Sequence, residues 1–192
     1  MGPRDAPPLD RWLAELGVDA IGAGEPGVDG AVSRDVLVDG ERRFDLRVTV
    51  AWVAGLGLSL WAYYGPEAME IPKRTYLRML RAGFDYPFVK FAMTDDDRPL
   101  LMSEIPPAAV TREELGRGLT RLAIVADRLL EETAPAVADH GNLPDWSGRT
   151  GRNAALLAAY RAEVEAEMPA WEPPPPRPPR RGLLSRLLGS AR

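Results

Sequence analysis

Residues 44–53 alternate between apolar and polar side chains. Phe44, Leu46, Val48, Val50 and Trp52 fall on one side, and Asp45, Arg47, Thr49 and Ala51 on the other. A strand turns successive side chains to opposite faces, whereas a helix brings them round about every 3.6 residues, so this run demands a β-strand with one face toward a core. Ala54 to Gly57 supplies a turn, and residues 58–64 return as a second strand with Leu58, Leu60 and Ala62 on one face and Trp61 and Tyr63 on the other. A strand apolar on both faces is either central, or has its second face against a partner.

The neighbouring elements read in the same way. Leu9, Trp12, Leu13 and Leu16 share a helical face that Gly17 ends. A loop rich in Gly, Asp and Glu follows to about residue 30, residues 35–38 make a short strand, and Asp39-Gly40 signals a hairpin turn. Pro72 suits the first position of a helix reaching Ala82, with Tyr76, Met79 and Leu80 as its apolar face and Gly83 as its stop. Residues 88–94 and 99–105 form a hairpin across Asp95, Asp96, Asp97 and Arg98. Thr111 and Glu114 form a capping box for a helix to about Glu132, striped by Leu115, Leu119, Leu122, Ala126 and Leu129. Residues 153–167 give a last helix with Leu156, Leu157, Tyr160 and Val164 on one face.

The expected fold class is therefore α+β. An antiparallel sheet has helices packed on one face in the order α-β-β-β-α-β-β-α, followed by a C-terminal helix and a proline-rich basic tail. The expected divisions are an α+β domain over 1–133, a loop and appended helix over 134–170, a polyproline linker over 171–182 and a basic, leucine-rich tail over 183–192.

The chemistry is sparse. There is no cysteine and a single histidine, His140, which excludes disulfides, thiolate nucleophiles and cysteine metal sites. His140 lies between Asp139 and Gly141 with no nucleophile nearby, so it reads as a surface histidine. The letters of residues 22–27 match GxGxxG, but a helix precedes them, Pro26 interrupts them and no helix follows, so they read as a linker. Asp95, Asp96 and Asp97 read as a solvated turn, because the remaining ligands of a cation loop are missing. Glu104 and Glu114 are carboxylates that nothing singles out. No catalytic residue, cofactor or metal is expected, and the chain reads as non-enzymatic.

Trp52, Trp61, Tyr63 and Tyr64 form an aromatic patch that is either core packing or a surface for another chain, since Trp and Tyr dominate binding hot spots. The residues expected to contact a partner are Trp61, Tyr63, Phe91 and Met93. The net charge of −4 is split between a +5 tail over 177–192 and a body of −9, which argues against nucleic acid as a partner. The prolines of 173–179 impose an extended polyproline segment that is either a groove ligand or a stiff spacer. Beyond it, Leu184, Leu187 and Leu188 beside Arg180 and Arg181 offer weak contact to a partner or an anionic membrane. The N-terminus lacks a secretory pattern and no run spans a bilayer, so a cytoplasmic location is expected.

The stretches 76–84, 89–97, 100–106, 113–115 and 126–129 give the region from Leu9 to Glu132 a resemblance to the type III secretion chaperone fold, as in the Tir chaperone, and to YbjN-like proteins. These positions carry the fold and no catalytic group. The resemblance implies a homodimer that binds segments of another protein without ATP, and a regulatory role for YbjN-like members. Secretion chaperones are smaller and lack everything after Asn153.

Overall fold

The computed structural model describes residues 6–22, 31–65, 72–95, 97–134, 143–146 and 148–171. Helix α1 is Leu9–Glu15. Strands β1 (Ala20–Gly22), β2 (Val32–Val38), β3 (Leu46–Val53) and β4 (Gly57–Tyr63) follow. Helix α2 (Lys73–Asp85) leads to strands β5 (Val89–Met93) and β6 (Pro99–Ile105). Helix α3 is Arg112–Arg128 and helix α4 is Ala154–Ala166. The six strands form one antiparallel sheet in the order β1-β2-β3-β4-β6-β5. The α+β class expected from the sequence is what the chain adopts.

Register places the core. Val48 pairs with Ala62, Val50 with Leu60 and Trp52 with Leu58, and these pair onward with Leu101, Ser103 and Ile105 of β6. Directly opposed residues share a face, so Val48, Val50, Leu58, Leu60, Ala62, Leu101 and Ile105 make one buried layer. Gly57 has a φ of +100°, and a Cβ there would lie 2.1 Å from the Ile105 carbonyl oxygen, so glycine alone allows β4 to begin this close to β6.

α3 lies across that layer, capped as expected by the Thr111 hydroxyl, which accepts the Glu114 amide at 3.1 Å. Every residue from Leu115 to Leu130 except Arg117 is buried, which a one-sided stripe does not require. α4 supplies the second cover with Leu156, Leu157 and Val164. α3 carries glycine where its neighbours come closest, Gly116 toward α4 and Gly118 toward the sheet. A Cβ on Gly116 would lie 2.5 Å from the Tyr160 ring, and one on Gly118 3.1 Å from Leu60. Arg117 reaches Glu163 and Arg121 reaches Glu167 across the same seam. α1 is tied at the other end, where Arg34 of β2 grips both carboxylate oxygens of Asp10 and Arg112 reaches Glu15.

Four local expectations are corrected. β1 occupies residues read as loop, because Ala20 and Gly22 pair with Val36 and Asp35 of β2, which itself begins earlier than expected, at Val32. Asp39-Gly40 opens a longer connection between β2 and β3, since Asp127 of α3 draws the amides of Glu41, Arg42 and Arg43 to its carboxylate at 2.7, 3.0 and 2.7 Å. Gly83 does not stop α2, which runs on to Asp85. Leu80, expected on the buried face of α2, points outward and is 68% exposed, because Thr75, Met79 and Ala82 fill the core side.

Candidate partner-binding surface

The helices occupy one face of the sheet. The other face carries no described helix, and β4, β6 and β5 present on it Trp61, Tyr63, Leu100, Met102, Ala92 and Lys90. Trp61 sits between Thr49 of β3 and Met102 of β6, and Tyr63 opposes Leu100. Trp61 is half-buried among these neighbours and Tyr63 is 48% exposed. The Arg98 guanidinium lies 5.6 Å from the centre of the Tyr63 ring, a cation–π distance.

Polar pairs frame this apolar strip. Lys90 reaches Glu104 at 2.8 Å on one side. On the other, Asp35 accepts hydrogen bonds from Arg47 at 2.5 Å and Thr49 at 2.6 Å. Burial raises the pKa of the Asp35 carboxyl, but the bonds from Thr49 and Arg47 outweigh it and hold the group below its ordinary value. Its negative charge is thus held beside the strip.

The four residues expected to contact a partner do not form one surface. Trp61 and Tyr63 share the open face. Phe91 opposes Leu101 on the helix side and packs edge-to-face on Tyr64, with ring centres 4.9 Å apart. Met93 lies on the same side of β5 as Phe91 and is exposed at the strand end. The wider aromatic patch divides likewise. Trp52 and Tyr64 face the helices, and the buried Tyr64 hydroxyl is 2.8 Å from the Thr133 hydroxyl. Strand parity, with odd residues outward on β4 and inward on β5, was the signal available in the sequence. The antiparallel pairing that makes it usable was not.

Other features carry little chemistry. A groove of about 480 Å³ runs beside α4 and is lined by Gly40, Phe44, Leu157, Arg149 and Arg161, whose arginines already pair with Asp45 and Glu41. No group of three or more metal-ligating side chains occurs among the described residues. No helix of the described residues is long and apolar enough to cross a membrane. His140 and the tail residues Arg180, Arg181, Leu184, Leu187 and Leu188 lie outside the described residues, as does Asp96.

Fold and surface together define an α+β protein whose sheet is covered by helices on one side and carries on the other an aromatic strip with no described helix over it. No protein-family model matches the chain, and no curated protein matches it. Among solved structures it is similar to the heterodimeric complex ExoU-SpcU from the type III secretion system of Pseudomonas aeruginosa. The identity is 17% and the TM-score 0.42, over 67% of this chain and 97% of that chain.

Proposed function

We propose that this chain is a non-enzymatic, chaperone-like binding protein that holds an extended apolar segment of another protein on the open sheet face, and that it works as a dimer. The observation that supports the reading is the position of Trp61 and Tyr63. They are large amphipathic side chains, outside the core, on a strip with no described helix above it. Such residues anchor interfaces because they bury much area while losing little rotamer freedom. A rim of fixed charges around an apolar centre is the usual layout of a binding patch.

The test is the double substitution Trp61→Ala, Tyr63→Ala. The reading expects loss of partner capture with an unchanged melting curve. A collapse of the melting temperature would assign the pair to the core and sink the proposal. Sedimentation of the full chain checks the dimer, which a single monomeric species at micromolar concentration would contradict.

A second reading has its own support, the +5 charge of residues 177–192 against the −9 body. In it the tail recruits a partner or anionic membrane and the globular part regulates. A chain ending at Trp171 should then lose vesicle or partner association while keeping its fold. Unaltered association would remove this reading.

A further inference from the structure

α2 has two apolar sides. Thr75, Met79 and Ala82 face the core, and roughly opposite them stand Leu77, Leu80 and Phe84, which are 42, 68 and 93% exposed. The outward three are spaced three and then four residues apart, which makes the short seam that one helix offers another. Arg74 and Arg81 stand one heptad apart beside this seam, and Lys73 precedes it on the same side. All three are exposed.

Among the described residues these three cations stand apart. Over the rest of the surface, cations find carboxylates: Arg34 with Asp10, Arg47 with Asp35, Arg112 with Glu15, Arg161 with Glu41. Even on α2, Arg78 pairs with Asp85 and Glu132. Lys73, Arg74 and Arg81 meet no carboxylate among the described residues. Among the described residues, an apolar seam with nothing over it and a row of positive charges with no carboxylate therefore coincide on one helix of a protein whose body is acidic.

We infer that α2 docks an acidic amphipathic helix of another protein, with apolar residues on Leu77, Leu80 and Phe84 and carboxylates against Arg74 and Arg81. Charges flanking an apolar seam select the partner of opposite sign. The same rule disfavours a second copy of this chain. A second copy brings the same charges to the seam: Lys73, Arg74, Arg78 and Arg81 stand on α2 against one acid, Asp85, which Arg78 already holds. The tail of this chain is basic and cannot answer the charge either. This surface is separate from the sheet face and does not depend on the reading given for it.

The experiment uses the full chain and two fluorescent helical peptides. Both carry leucine at the seam positions, and the flanking positions hold glutamate in one and lysine in the other. Anisotropy should show the glutamate peptide binding at least about tenfold tighter at low salt. The preference should shrink as salt screens the contact. Leu80→Gln with Phe84→Gln should abolish binding, and Arg74→Glu with Arg81→Glu should reverse the preference. Trp61→Ala with Tyr63→Ala should leave it unchanged. Because the tail is intact in every variant, attraction of the acidic peptide to the tail would survive the α2 substitutions and overturn the proposal. Equal binding of both peptides, no binding of either, or dimerisation of the chain through Leu80 and Phe84 would also overturn it.

Discussion

The carboxylate of Asp127 accepts three consecutive backbone amides from the loop between β2 and β3, and Gly40 has no room for a side chain, since a Cβ would lie 2.3 Å from the Asp127 Oδ1. Burial raises the pKa of this carboxyl and the three amides pull it back, leaving it above its ordinary value. Asp127→Ala leaves those donors without an acceptor and should cost about 3 kcal/mol in a denaturant titration, with Asp127→Asn in between. A cost below about 1 kcal/mol would show that the loop holds itself. Asp45 behaves in the opposite sense. Hydrogen bonds from Arg149 above all, and from Arg152, hold its carboxyl below the ordinary value. A lowered folded pKa stabilises the fold above the unfolded value, near pH ~4, and that contribution is lost as pH falls through the folded value. The melting temperature of Arg149→Gln should therefore lie below that of the parent at pH 6 and converge with it under acid. A constant gap would refute the linkage. The sequence displayed Asp39-Gly40 as a turn signal and was silent on Asp127, because the two meet only when a segment far along the chain folds over the loop.

At the scale of elements, α2 and α3 show why periodicity was readable and incomplete. The Leu115-to-Leu129 stripe correctly located the sheet-facing side of α3. Its other side, with Gly116, Ala123 and Ile124, looked unremarkable until α4 covered it. In α2 two apolar arcs share thirteen residues, so choosing one stripe merged Tyr76 and Met79 with the outward Leu80. Stability checks the orientation of α2 directly. Met79→Ala should cost about 2–4 kcal/mol by leaving a cavity. Leu80→Gln should stay within about 0.5 kcal/mol, as exposed substitutions do. Comparable losses at both positions would mean that the helix is rotated from the orientation described. The turn after α2 carries Phe88 at a φ of +63°, unusual for a bulky residue, with the Arg121 guanidinium 4.8 Å from its ring centre. Nothing in the sequence announced that conformation.

For the whole molecule the decisive arrangement is three layers: sheet, α3 and α4. The last layer is secured by polar groups at its start. The Asp39 amide donates to the Asn153 side chain at 2.8 Å, and the Asp39 carboxylate accepts the Arg152 amide at 3.1 Å. At its end Arg128 of α3 donates to the Pro169 carbonyl and lies 5.6 Å from the centre of the Trp171 ring. A chain ending at Ala134 should expose the outer side of α3, bind hydrophobic dyes and melt without a cooperative transition, whereas one ending at Trp171 should melt like the full chain. Cooperative melting of the shorter chain would show α4 to be dispensable. The same anchoring has a consequence during synthesis. The contact between Asp39 and Asn153 joins residues 114 apart in sequence. A chain emerging from the ribosome completes its sheet at Ile105 and its central helix soon after, yet both stay without their last cover until α4 has left the exit tunnel. For that interval the nascent protein displays a bare apolar helix, so its own yield in the cell should depend on how quickly translation proceeds from Ala134 to Ala166.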